Sequence, residues 1–139
     1  MLLTPKRWKY RKPIIRSLKG KSQRWTIVSF GEYGLKAITS WYISNKEIES
    51  ARKVIVRATR KVGKIWIRIF PDVPFTKKWL EMPMGTGKGD VNIYTAPVRK
   101  WKVMFEIMWV PKALAKETLT KASKKLSVQT RFVEKWEVK

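Results

Sequence analysis

The sequence predicts an α+β fold: a single-domain, two-layer sandwich of mixed or antiparallel strands, with two main helices and a basic N-terminal extension. Three observations predict it. The chain has 139 residues and is 44% hydrophobic, the size and composition of one domain with a buried core. Two windows repeat apolar residues at helical spacing, while several others alternate at strand spacing. Residues 1–25 hold nine cations and no acid, and like charge at that density does not pack on itself. The expected division is therefore an extension over 1–25 and a folded domain over 26–139.

The elements follow in order. Trp25–Phe30 and Leu35–Ile43 are apolar and β-rich, separated by Gly31-Glu-Tyr-Gly34, a strand–turn–strand pattern. Ser44-Asn-Lys-Glu47 matches a capping box, with Glu47 expected to reach back to the cap. Ile48, Ala51, Ile55 and Ala58 then form one helical stripe, with Gly63 as the expected stop. In Lys64–Phe70, isoleucines 65, 67 and 69 share one face while Trp66, Arg68 and Phe70 share the other. Apolarity on both faces predicts a central strand, ended by Pro71-Asp-Val-Pro74. Phe75–Met82 is ambiguous, a strand running into a loop. Val91–Val98 and Trp101–Ile107 predict two strands joined by Arg99-Lys100. Pro111–Leu126 predicts a second helix, with Leu114, Leu119, Ala122 and Leu126 as its core positions. Val128–Val138 closes the chain as a strand, giving the order β-β-α-β-β-β-α-β.

Charge limits the chemistry. Thirty-two Lys and Arg face ten Asp and Glu, a net +22, with no His and no Cys. That excludes an imidazole base, a thiol nucleophile, a zinc site and a disulfide, and no cofactor is expected. No apolar run approaches the ~18–20 residues that cross a bilayer. The opening stretch MLLTPKRWKYRKP has no apolar segment followed by a cleavage site, so it is expected to be mature protein. Lys outnumbers Arg by 22 to 10 and Ile is plentiful, a bias that AT-rich coding produces in an organelle genome or an AT-rich bacterium. An excess of +22 repels itself unless a polyanion meets it, and the usual ones are nucleic acid and anionic membranes.

Phosphate-contacting cations are expected in the arm (Lys6, Arg7, Lys9, Arg11, Lys12, Arg16, Lys19, Lys21, Arg24), with Trp8 and Tyr10 interleaved. Arg52, Lys53, Arg57, Arg60 and Lys61 extend the set along the first helix, and Lys64 follows it. Met84-Gly-Thr-Gly-Lys-Gly89 invites a phosphate-loop reading, which fails at both ends. The first Gly should stand at Met82, and a hydroxyl should follow Lys88 where Gly89 stands. The dinucleotide fingerprint fails too, because Gly89 comes one residue early. What remains is a loop that lets backbone approach closely, with one Lys to reach a phosphate. No carboxylate pair fits general acid–base work, and the hydroxyls have no base to activate them. Trp66, Trp101 and Trp109 are expected in the core, whereas Trp8, Trp25 and Trp79 flank basic or Gly-rich segments where stacking on bases is an alternative.

Five stretches resemble the large ribosomal subunit protein sixteen family of bacteria and organelles. They are Pro5-Lys-Arg7 with Lys9-Tyr-Arg-Lys12; Ser29-Phe-Gly31 with Gly34-Leu-Lys-Ala37; Ile48-Glu-Ser-Ala-Arg52 through Arg57; Gly63–Asp72, the most specific; and Met84–Gly89. The resemblance implies an α+β protein on large-subunit ribosomal RNA near the central protuberance. It also implies a role in organising the transfer-RNA-binding region beside the peptidyl transferase centre. It puts the ribosomal RNA contacts in the arm and first helix, and a transfer-RNA-proximal loop at Pro83, Met84, Gly85, Thr86, Gly87, Lys88 and Gly89. Some positions depart from the family pattern. Pro83 stands where Arg is usual, Trp79 where Pro is common, and Trp101 where Pro or a small residue is expected. Residues 134–139 run past the usual end.

The expected partners are large-subunit ribosomal RNA, transfer RNA and neighbouring ribosomal proteins, with no membrane and no small-molecule substrate. The expected setting is the large ribosomal subunit of a mitochondrion, which is favoured, of a plastid, or of an AT-rich bacterium. Two alternatives remain. A non-ribosomal RNA-binding or anionic-membrane module is one, although the first helix has a narrow apolar stripe without large aromatics. An RNA-modifying enzyme is the other, and the missing acid–base residues weigh against it.

Overall fold

The computed structural model describes residues 3–60 and 62–136. Nine elements follow in chain order: β1 (Tyr33–Ala37), β2 (Trp41–Ser44), α1 (Asn45–Ala58), β3 (Lys64–Ile67), β4 (Val73–Lys77), β5 (Asp90–Val98), β6 (Val103–Met108), α2 (Lys112–Ser123) and β7 (Thr130–Glu134). The α+β expectation holds. The strands form two antiparallel sheets, one ordered β3-β6-β1-β7 and the other β2-β5-β4.

The two helices pack against each other and against the first sheet. Pairing Leu35 with Phe105 and Ile107 with Ile65 puts Leu35, Ala37, Ile65, Ile67, Phe105 and Ile107 on the helix-facing side. They meet Ile48, Ala51 and Ile55 of α1 and Ala115, Leu119 and Ala122 of α2, all fully buried. The α2 stripe is shifted from the expected one. Leu119 and Ala122 are buried, Leu126 packs on the core, and Leu114 is exposed, with Ala115 and Thr118 turned inward instead.

Several predicted strands are redrawn. Residues 25–30 are not a strand. The N–H groups of Ser29, Phe30 and Gly31 converge on the Glu106 carboxylate rather than on a ladder. Leu35–Ile43 splits after Ala37, so β1 joins one sheet and β2 the other. The ambiguous segment begins as β4, an edge strand, which is where Pro74 is tolerated. β3 is an edge strand as well, not a central one. Its second apolar face is covered by residues 25–30, the segment that crosses it, with Phe30 stacked on Trp66 at 6.2 Å. The last strand is short, and Val138 lies outside the described residues.

Helix α1 starts as expected, with Ser44 as N-cap accepting from the Glu47 N–H at 3.2 Å. Glu47 does not close the box. Its carboxylate accepts from Ser127 Oγ at 3.0 Å instead. The helix stops at Thr59, whose hydroxyl donates to the Ile55 carbonyl, and Arg60 then turns left-handed with φ 49. Gly63 is needed for close approach rather than as the stop: a Cβ there would lie 2.6 Å from Val110 Cγ2.

Candidate nucleic-acid interface

The N-terminal arm lies along the body. Leu3 packs against the core. The Trp8 ring meets Tyr94 of β5 at 5.6 Å. Lys12 Nζ sits 3.0 Å from Asp90 Oδ1 and donates to the Lys88 carbonyl, while Lys88 Nζ donates to the Pro13 carbonyl at 2.8 Å. Tyr42 Oη donates to the Arg16 carbonyl. Farther along, the Ser22 N–H donates to the Lys100 carbonyl, and Lys21 Nζ lies 4.2 Å from the Trp101 ring centroid. These contacts bring the arm and the glycine loop together, a juxtaposition the sequence did not foretell. Lys6, Arg7, Lys9, Arg11, Arg16, Lys19, Lys21 and Arg24 remain exposed with Trp8 and Tyr10, while Lys12 is half-buried.

The loop from Lys78 to Gly89 joins β4 to β5. Gly85 and Gly87 take φ 133 and 89, and Thr86 takes φ 54. Lys78 Nζ and Thr86 Oγ1 both donate to the Gly85 carbonyl. Pro83, Met84, Gly85, Thr86, Gly87 and Lys88 are exposed. Gly89 sits against β4, where a Cβ would meet the Lys77 carbonyl oxygen at 2.7 Å. An open cleft of about 1010 Å³ runs beside the loop, lined by Trp79, Leu80 and Met82 with Lys77 and Lys78.

On α1, Lys53 and Arg57 are exposed. Arg52 is partly committed: its guanidinium grips Glu49 in two hydrogen bonds of 2.8 and 2.7 Å. Arg60 lies past the helix end, Lys61 lies outside the described residues, and Lys64 packs over the Trp66 ring at 5.1 Å. Two tryptophans expected in the core are surface residues, Trp101 and Trp109, both with positive φ. Left-handed backbone turns these side chains outward from the strand pattern that predicted them. Trp66 is half-buried.

The pair that organises this surface was missed. Glu106 is fully buried in β6 and pairs with Arg68, which also donates to the Ile27 carbonyl. Arg68 lies 5.0 Å from the Trp25 ring and 5.3 Å from Phe30. A carboxylate inside the run Val103–Met108 was the available signal, since a buried charge needs a partner. Among the described residues no group of three carboxylates could hold a metal ion, and no helix is long and apolar enough to cross a membrane.

With this surface in hand, comparison with known proteins is decisive. The family model described as ribosomal protein L16p/L10e matches residues 5–133. The chain belongs to the ribosomal protein L16p/L10e family. The family's large ribosomal subunit protein uL16 from Borrelia turicatae is 47% identical over 132 residues, covering 95% of this chain and 96% of that one. The uL16 of Macrococcus caseolyticus is 47% identical over 137 residues, covering 99% and 95%. That of Borreliella burgdorferi strain ZS7 is 46% identical over 132 residues. Membership is consistent with the core and the glycine loop, both inside the matched span.

Proposed function

We infer that this chain is a structural constituent of the large ribosomal subunit and not an enzyme. The observation that carries the reading is the family match across residues 5–133, which takes in the arm, α1 and the glycine loop. The chain binds large-subunit ribosomal RNA near the central protuberance and touches neighbouring ribosomal proteins. Its arm cations and the exposed α1 cations, Lys53 and Arg57, neutralise phosphates. Contacts of that kind supply affinity that falls as salt rises. The glycine loop, with Lys88 near its end, faces transfer RNA beside the peptidyl transferase centre. The Lys12–Asp90 and Lys88–Pro13 contacts support one continuous surface, so arm and loop are set by the same docking. For location, the Lys and Ile bias suits a mitochondrial or plastid ribosome or that of an AT-rich bacterium. The bacterial origin of the relatives named above supports the last.

The test separates arm from loop. Deleting residues 1–25 should reduce incorporation into purified large subunits, read by quantitative mass spectrometry. Replacing Thr86 and Lys88 with Ala should leave incorporation intact and weaken transfer-RNA binding to the assembled ribosome. The reverse pattern would undo the assignment.

A further inference from the structure

Between the arm and the body lies a cleft of about 390 Å³ that no family motif accounts for. Three cations line it: Arg16 from the arm, Arg99 after β5, and Lys102 before β6. Ile14, Tyr42 and Pro97 give it an apolar wall, and no acid is among its lining residues. The arm is pinned over it at both ends. Tyr42 Oη donates to the Arg16 carbonyl, and the Ser22 N–H donates to the Lys100 carbonyl at 3.0 Å.

None of the three cations makes an ion pair among the described residues, whereas Lys12, Arg52, Arg68, Lys112 and Lys121 all do. Lys102 is half-buried, and burial holds its ammonium below the ordinary lysine range even with Asp72 close enough to favour the charge. Arg16 and Arg99 reach the cleft from its solvent-exposed side and Lys102 from its half-buried side, so an anion entering it meets cations from the arm and from the β5–β6 connection and restores a counter-charge to the desolvated ammonium. The volume falls within the usual range for small-ligand sites, about 300–1,000 Å³.

We propose that this cleft is a nucleotide-binding site for RNA, holding one backbone phosphate among Arg16, Arg99 and Lys102 and resting the attached ribose or base on the Ile14–Tyr42–Pro97 wall. The proposal rests on the ribosomal reading above and deepens it. It assigns the arm's docking a purpose: the arm completes the site by carrying Arg16 and Ile14 to it.

The test measures binding of the full chain to a transcript of large-subunit ribosomal RNA across a salt series. Arg99→Gln combined with Lys102→Met keeps both side-chain stems and removes the charges. The double variant should bind about tenfold more weakly, with a shallower salt slope by about one to two. Thermal unfolding reports whether it is folded. A folded double variant with wild-type affinity and slope overturns the site while leaving the ribosomal reading intact. A wild-type chain that fails to bind the transcript sinks both. A second measurement does not depend on the variant's folding. A photoreactive benzophenone residue replacing Leu18, on the cleft wall, is incorporated into purified large subunits and irradiated. A cross-link to a ribosomal RNA nucleotide supports the site, and adducts to protein alone overturn it.

Discussion

Glu106 and Arg68 show how one buried pair organises a surface. The carboxylate accepts from three successive backbone N–H groups, at 3.2, 2.6 and 2.8 Å for Ser29, Phe30 and Gly31, and from the Arg68 guanidinium. Removing the carboxylate strands a buried cation and three donors together. Glu106→Ala should therefore lose about 3–5 kcal/mol of stability, read from the denaturant midpoint. A loss below about 1 kcal/mol would show that the crossing segment is held by apolar packing instead. Glu49 gives a pH-dependent case. Hydrogen bonds from Arg52 hold its carboxyl down at about 2, against 4.5 for the free group. The folded value lies below the unfolded one, so the stabilisation is present above pH 4.5 and is lost as pH falls toward 2. Arg52→Ala should flatten the fall in melting temperature across that window. An unchanged acid limb would show the pair to be inconsequential. The same grip means that Arg52 meets a phosphate only in competition with Glu49.

At the scale of elements, close approach matters more than local propensity. The β4–β5 hairpin ends where Asp90 pairs with Lys77, and Gly89 follows the Lys77–Lys78 backbone too closely for any side chain. Gly89→Ala must push that backbone apart and should destabilise by about 1–3 kcal/mol in thermal unfolding. A neutral result would mean that the loop shifts freely around its glycines. The same hairpin carries Asp90, whose carboxyl the Lys12 hydrogen bond holds below the usual carboxylate range. The arm is thus docked most firmly above that range and loosened by acid. Helix α1 was the most legible element, because its cap and stripe are local signals. Its end was misread because a β-turn-like exit through Thr59 and Arg60 replaced the glycine stop.

Across the whole molecule, the +22 charge remains the dominant electrostatic fact. Ten acids cannot neutralise 32 cations however they pair, so the whole excess lacks a counter-charge in the free chain, and five ion pairs join described side chains. Added salt should raise the melting temperature by screening self-repulsion, and an RNA ligand should raise it further by binding the folded state. A melting temperature that falls with salt would mean that these few pairs outweigh the repulsion. The sequence by itself determined the α+β class, the start of α1, the cationic arm and the glycine loop. Each depends on residues adjacent in the chain: a period, a cap, a charge run. The family was legible for the same reason, since its motifs are contiguous. Tertiary structure alone decided that the arm docks on the loop, that the N–H groups of residues 29–31 serve one buried carboxylate, and that three cations from distant segments share a cleft. Those outcomes depend on backbone donors and charges that meet only after β5 and β6 part into different sheets. A chain read in order cannot display that separation.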